Sequence, residues 1–220
     1  MPEIAAVIWD MDGVLADTAP YHLLAWQETF AKRGIKFTEE DFRRSFGIKN
    51  DAIIKNVLGE PTTEAEIETI ALEKEATFRR IIGKNIKPLP GALKLLEALD
   101  GHGVKMAIAS STPIENIRLI VGSLGIGKYF PAVITGHDVT EGKPSPQVFL
   151  LAAQRLGVEA KNCVVFEDAV AGVTAAKSAG MRCVAITSSH TREKLTQADL
   201  VIDSLTEVSV KELEDLVRSP

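Results

Sequence analysis

Two cysteines in 220 residues are too few to staple a small secreted domain. Cys163 and Cys183 each lie in or beside an apolar, strand-like run, so buried free thiols are expected rather than a disulfide or a metal site. Long apolar runs are missing too. None approaches the roughly 20 residues needed to span a bilayer, and no basic segment leads into a signal-peptide-like stretch at the start of the chain. The expectation is a soluble, cytoplasmic protein with no membrane partner. Concentrated positive charge is equally scarce: no Lys/Arg cluster exceeds the pairs Arg43-Arg44 and Arg79-Arg80, and the net charge is −5, which argues against a nucleic-acid surface. There is no internal repeat and no low-complexity linker. What remains is an ordinary globular composition, at a length that buries about 70% of the unfolded surface and suits one large domain or a core with a small insertion.

The stretch from Val7 to Gly13 breaks that ordinary pattern. An apolar run from Ile4 to Trp9, long enough for one buried strand, stops at the carboxylate of Asp10. A second, Asp12, follows two residues later with Gly13 behind it. Two carboxylates at i and i+2 repel one another, and packing gives no reason to put them past a buried strand. Asp-x-Asp-Gly can be a polar β-turn; it can also hold a cation or do chemistry.

After Thr18, the segment Pro20–Arg33 carries Leu23, Leu24, Trp26 and Phe30 at helical spacing, with Gly34 as a stop. Thr38-Glu39-Glu40-Asp41 reads as a cap and first turn leading into Phe42–Phe46, broken at Gly47, and Ile53–Leu58 ends at Gly59. Thr63-x-x-Glu66 is a capping box for a long helix to Ile82, striped by Ile67, Ile70, Ala71, Phe78 and Ile81. Nothing here reads as a strand, so residues 17–87 are expected to form an all-helical insertion. From Pro88 onward strands and helices alternate. The strands are Lys105–Ala109, Ala132–Thr135, Val164–Phe166, Cys183–Ile186 and Leu200–Ile202. The helices are Gly91–Leu99, Pro113–Leu124, Pro146–Leu156, Ala169–Ala179 and one opened by Ser209-x-x-Glu212. Alternating βα units predict the α/β class: a doubly wound, Rossmann-like parallel sheet core from residues 1–16 and 88–220, with the helical domain inserted.

In an open α/β sheet, ligands bind beyond the carboxyl ends of the strands. Four such places carry polar groups: Asp10 and Asp12; Ser110-Ser111-Thr112; Lys143 after Gly136; and Glu167-Asp168. Thr112-Pro113-Ile114-Glu115 reads as an N-cap, a proline at the first helical position and a glutamate three residues after the cap. The free N–H groups of such a start suit an anion, although Ser110 and Ser111 can equally be plain capping residues. Lys143 can be a solvated loop lysine, or a stiffly held one that aims its charge at a fixed point between a glycine and two prolines. Glu167-Asp168 can cap the next helix. Two acidic pairs at one sheet edge, however, invite Mg²⁺, and with Lys143 and the serines they describe a place for a phosphoryl group.

Asp10-x-Asp12-Gly13-Val14, the strand-end Ser110, Lys143 with its following proline, and Glu167-Asp168 stand in the order of the four motifs of the haloacid dehalogenase superfamily, which the whole chain resembles. The insertion is similar to the cap of its subfamily I. Asp17-Thr18-Ala19-Pro20-Tyr21-His22 and Ala25-Trp26 look like the first cap helix of the group containing β-phosphoglucomutase and small-metabolite phosphatases. The resemblance implies catalytic roles for Asp10, Asp12, Ser110 and Lys143. Asp10 is the implied nucleophile, forming an aspartyl-phosphate, and Asp12 the general acid and base. It implies a Mg²⁺ cofactor held by the Asp10 carboxylate, the Asp12 backbone carbonyl and Asp168, with Glu167 assisting. Ser110, the Ser111 amide and Lys143 are the implied holders of the phosphoryl oxygens. The second aspartate favours phosphoryl transfer over dehalogenation.

Gly13, Thr18, His22, Gly47, Lys74, Ser111 and Thr112 are the candidate substrate-contacting residues, although His22 also reads as a half-buried helix residue and Lys74 as a solvated one. At the cap loop the mutase carries a lysine and an arginine around a glycine; here Phe46 and Asn50 flank Gly47, with Lys49 next door. Losing both cations weakens the grip on a second phosphate. The expected function is therefore a monomeric, Mg²⁺-dependent phosphatase acting on a small phosphorylated metabolite, with β-phosphoglucomutase as the alternative. A receiver-like signalling domain is more distant. Its phosphorylated aspartate sits on a central strand, whereas this one ends the first, and it has no helical cap.

Overall fold

Ala6, Val7, Ile8 and Trp9 have no exposed surface, and a strand buried on both faces belongs in the middle of a parallel sheet. The computed structural model describes residues 4–59, 61–83 and 85–218, so the ends of the expected core segment, residues 1–3 and 219–220, lie outside it, as do 60 and 84 within the insertion. Its strands in chain order are β1 (Ala6–Trp9), β2 (Lys105–Ala109), β3 (Ala132–Ile134), β4 (Cys163–Glu167), β5 (Arg182–Ile186) and β6 (Leu200–Ile202). They form one sheet in the order β3-β2-β1-β4-β5-β6, with every pairing parallel. The α/β, doubly wound arrangement read from the alternating units is the one observed.

That order corrects one expectation. The first strand in sequence is a central strand in space, because the chain builds β2 and β3 on one side of β1 and then crosses to add β4, β5 and β6 on the other. Asp10 therefore sits beside the point where the winding reverses, the usual ligand crevice of such a sheet. Strand position does not separate this chain from a receiver domain; the helical insertion does.

The insertion comprises α1 (Ala19–Ala31), α2 (Glu39–Ser45), α3 (Asn50–Leu58) and α4 (Glu64–Ile82), with no strand among its described residues. Thr38 and Thr63 make reciprocal capping boxes with Asp41 and Glu66, so the two helix starts read from sequence are real. Trp26, Phe30, Phe37, Phe42, Phe46 and Ile54 pack into an apolar cluster separate from the two that sandwich the sheet. Both connections to the core lie side by side: Asp17 N donates to Lys87 O (3.1 Å) and Leu89 N to Leu15 O (3.1 Å). The stripe on α4 differs from the expected one. Ile82 is buried instead of Ile81, and the same face buries Lys74, Glu75 and Thr77.

The remaining helices are α5 (Ala92–Gly101), α6 (Ile114–Leu124), α7 (Gln147–Leu156), α8 (Val170–Ser178) and α9 (Val210–Arg218). Alternate residues of β1 feed the two faces of the sheet, Val7 and Trp9 into one cluster and Ile8 into the other. The start of α6 departs from its prediction. Pro113, not Thr112, is the N-cap and no side chain caps the helix, because the Thr112 hydroxyl is turned away to Asp12.

Candidate active site

Four buried carboxylates, Asp10, Asp12, Glu167 and Asp168, meet at the carboxyl edge of β1 and β4. Lys143 comes in from the loop before α7, preceded by Gly142 and followed by a cis bond to Pro144, and is itself only 4% exposed. Its Nζ donates to Asp10 Oδ1 (2.5 Å) and to Glu167 Oε1 (2.5 Å). The other Glu167 oxygen accepts from the backbone N–H groups of Asp168 (2.8 Å) and Ala169 (2.9 Å). Glu167 is thus fully engaged in fixing Lys143 and the entry to α8. The solvated-lysine reading of Lys143 does not hold.

Burial is the largest influence on Asp10. It lifts the carboxyl to about 7, aided by the negative charges of Glu167 and Asp12 and opposed by Lys143. Burial likewise lifts Asp168 well above the usual carboxylate range, with Glu167 and Asp10 adding to it; its side-chain partners are the hydroxyls of Ser188 (3.1 Å) and Ser189. For Lys143, burial favours the neutral amine, yet Asp10 and Glu167 outweigh it and hold the ammonium charged. One lysine among Asp10, Glu167 and Asp168 leaves an excess of buried negative charge, which is the donor set that suits a hard divalent cation. Among the described residues no three His, Cys, Asp or Glu side chains are arranged as a complete ligand cluster. Mg²⁺ needs only one or two carboxylates and completes its shell with water and substrate oxygens, so the residues present fit it.

Asp12 has a different environment. Burial disfavours its charge, but the His22 imidazole (Nε2, 3.0 Å) and the hydroxyls of Thr112 (2.5 Å) and Thr18 (2.6 Å) together hold its carboxyl well below the usual range. The line continues into the helical segment. Lys74 Nζ lies 2.8 Å from His22 Nδ1 and donates to Glu75 Oε1 (2.7 Å). An ammonium has no lone pair, so His22 Nδ1 accepts and its Nε2–H donates to Asp12. Lys74 is 2% exposed, not solvated, and His22 is buried against the Phe78 ring at 3.9 Å.

Ser110 is buried at the end of β2, its Oγ accepting from Thr112 N (3.2 Å). The Ser111 hydroxyl donates across to Gly47 O (3.0 Å), joining the core edge to the loop after α2. Two glycines are there for close approach. Gly13 has φ +80°, and a Cβ on it would overlap the Asp168 carboxylate; at Gly47, with φ +87°, a Cβ would come 2.7 Å from that of Ala169. Asp10, Asp12, Ser110, Ser111, Thr112, Gly47, His22 and Lys74 all line one cavity, whose wall also includes Trp26, Phe42 and Phe46. Lys143, Glu167 and Asp168 lie behind Asp10, outside that lining, while Thr18 reaches the site through Asp12 and Gly13 through Asp168.

Sequence reasoning missed Ser188 and Ser189, although they follow a strand, β5, and inspection of that strand end would have found them. It also missed Glu75 and Asn116, and it singled out Asn50 only as an uncharged flank of Gly47, not as a partner of Glu75. No local pattern marks them, since each acquires its role from packing between helices distant in sequence.

A sequence profile of the haloacid dehalogenase-like hydrolases matches residues 4–180. The β-phosphoglucomutase of Bacillus subtilis is 34% identical over 218 residues, covering 96% of this chain and 94% of its own length. A phosphorylated carbohydrates phosphatase of Thermotoga maritima is 34% identical over 176 residues, covering 80% and 82%. Among solved structures, a β-phosphoglucomutase from Clostridium difficile superposes with a TM-score of 0.90 at 30% identity, covering 98% of this chain and 97% of that one.

Proposed function

The chain belongs to the haloacid dehalogenase-like hydrolases and is an enzyme, and from that premise we propose that it hydrolyses the phosphomonoester of a small metabolite, a sugar phosphate or similar, through an aspartyl-phosphate on Asp10. The observation that carries this reading is the unequal pair at the end of β1. Asp10 is bound to Lys143, while Asp12, two residues on, is held by three other side chains. Residues 17–87 serve as a cap over the core formed by 1–16 and 88–220.

In the first step an Asp10 oxygen bonds to phosphorus as the ester P–O bond breaks, and Asp12 gives its proton to the leaving alkoxide. Asp12 stands ionised in the ligand-free molecule; the negative phosphoryl group arriving beside it raises its proton affinity, so the proton enters with the substrate. In the second step water attacks the same phosphorus, Asp12 takes the proton, and Asp10 is released. Lys143, Ser110 and the Ser111 amide hold the phosphoryl oxygens. The Asp10 and Asp168 carboxylates and the Asp12 backbone carbonyl would hold Mg²⁺, with Glu167 assisting from its place on Lys143. When bound, Mg²⁺ neutralises the phosphoryl charge and acts as a Lewis acid. The two buried free thiols and the net charge of −5 support a cytoplasmic enzyme with no nucleic-acid partner, and we take it to act as a monomer.

The cap side of the cavity favours phosphatase over mutase. Lys74, the cation that lines it there, is paired with Glu75, and Phe46 and Asn50 offer no charge to a second phosphate. The likeness to β-phosphoglucomutases keeps phosphosugar transfer as the second reading. Phosphate release across a panel of phosphorylated metabolites, with and without EDTA, tests the proposal. Turnover that EDTA abolishes supports it, and the absence of release from every member overturns it. Incubation with β-glucose 1-phosphate and a bisphosphate primer separates the two readings: free phosphate means hydrolysis, glucose 6-phosphate means mutase.

A further inference from the structure

Asn116 is a fully buried amide with both ends in use across the junction between core and cap. It stands in the first turn of α6. Its Nδ2 donates to Glu75 Oε2 (2.5 Å), and its Oδ1 accepts from Arg79 Nη1 (2.8 Å). Glu75 and Arg79 are one turn apart on α4, so the amide spans a carboxylate acceptor and a guanidinium donor, which a carboxylate or an ammonium at that position cannot do. The other Glu75 oxygen accepts from Lys74 Nζ (2.7 Å) and from Asn50 Nδ2 (2.7 Å). From Lys74 the hydrogen bonds run to His22 and on to Asp12. An unbroken polar line thus leaves the core at α6, crosses the cap helix α4 and re-enters the core at the second aspartate. One other side chain of the cap reaches the end of this line, Thr18, whose hydroxyl donates to Asp12 Oδ1 (2.6 Å), whereas the bridges from Ser111 to Gly47 O and from His190 to Arg43 O end on backbone carbonyls of the cap.

We propose that Asn116 is a positioning residue for Asp12: by gripping Glu75 and Arg79 together it seats α4 on the core and so fixes the line from Lys74 through His22 to the Asp12 carboxyl. Taking away the amide leaves a buried carboxylate oxygen without its donor. The simplest relief is for α4 to lift from α6 and admit water, carrying Lys74 and His22 out of register with Asp12. The kinetic part of this proposal rests on the phosphatase reading; the seating of α4 does not.

The test uses Asn116→Leu, Asn116→Asp and the swapped pair Asn116→Asp with Glu75→Gln. In the single Asp variant two carboxylates face each other; in the swapped pair the amide introduced on α4 donates to the carboxylate introduced on α6, which still accepts from Arg79. Two readouts are taken with Mg²⁺ present. The first is kcat/KM for p-nitrophenyl phosphate, whose leaving group needs no proton, against kcat/KM for a simple alkyl phosphate, whose leaving group does. The second is the distance between spin labels on Leu72→Cys and Leu150→Cys, both exposed, with the native cysteines buried. Asn116→Leu is expected to lower the alkyl value about tenfold or more while changing the aryl value less than about threefold, and to broaden or lengthen the label distance. Asn116→Asp should do the same more strongly, and the swapped pair should recover both readouts. An equal fall with both esters, no fall with either, or a swapped pair as impaired as Asn116→Asp overturns the proposal. Should Asn116→Leu not fold, the Asp variant and the swapped pair carry the same decision. If the unmodified protein turns over neither ester, the phosphatase reading is at fault, and an Asn116→Asp label distance identical to that of the unmodified protein then overturns the clasp on its own.

Discussion

The sheet edge and the cap face both bury a lysine against carboxylates, but they do so by different means. Lys143 is aimed by a short stiff loop and answers two carboxylates from neighbouring strands, Asp10 and Glu167, whose backbones are fixed by parallel pairing. Lys74 lies mid-helix on α4 and answers one carboxylate, its own neighbour Glu75, with a histidine from α1 and aromatic rings of Trp26 and Phe78 around it. At the edge, charge is left over, as the raised Asp10 and Asp168 carboxyls record. On the cap the charges close on themselves. A surplus of negative charge is a site waiting for cations and phosphoryl chemistry; a closed network is a device for holding shape.

The sharpest way to break that contrast is to remove the edge's reactive oxygen. Asp10→Asn should lower aryl phosphate turnover by more than about a hundredfold, because the covalent step is lost. A steady-state assay retaining more than about a hundredth of the rate sinks the assignment. Next in size are the two lysines. Lys143→Met strands Asp10 and Glu167 and should cost about 3–5 kcal/mol in urea unfolding. In Lys74→Met, Glu75 keeps Asn50 and Asn116, and the cost should stay near 1–3 kcal/mol. Equal losses at the two sites erase the distinction drawn between them.

Smaller is the response to pH. The folded-state value of about 7 for Asp10 lies above its unfolded value near 4, so the folded protein holds an extra proton between the two. Metal-free stability should therefore fall as pH rises from about 4 to 7. Asp168, raised too, acts in the same direction, whereas the depressed Asp12 and Glu75 matter only below about pH 4. Mg²⁺ takes the place of the proton, so its stabilising shift in Tm should be several degrees larger at pH 8 than at pH 5. Thermal unfolding that shows the same shift at both contradicts the charge-surplus account. The smallest effect belongs to the outside of the cap: Arg80→Ala, which breaks an exposed pair with Glu28, should move Tm by less than about 2 °C.

The two regions also differ in how far they could be read ahead of the structure. At the edge, an apolar run ending in a polar residue is a local signal that Asp10, Ser110 and Glu167 each carry in a few consecutive residues, while Lys143, in the loop well beyond β3, was legible from the glycine and prolines around it. The place of β1 at the centre of the sheet does not follow from such signals, since strand order depends on which side of the sheet each crossover takes. In the cap, the helices and their Thr38 and Thr63 caps were legible because capping is local. Glu75 and Asn116 were not, nor was the bond from Asn50 to Glu75, because an exposed-looking glutamate on a polar-faced helix becomes a buried hub only when α3, α4 and α6 meet. Thr112 was misread for the same reason: a distant carboxylate, Asp12, took the hydroxyl that would otherwise have capped α6.

The central claim is that phosphorus is transferred to Asp10. Acid-quenched mass analysis during turnover of a phosphomonoester with Mg²⁺ tests it most directly. A fraction of the protein should be heavier by one phosphoryl group, mapped to Asp10 and lost in Asp10→Asn. Turnover with no such adduct, or with the adduct on another residue, contradicts it.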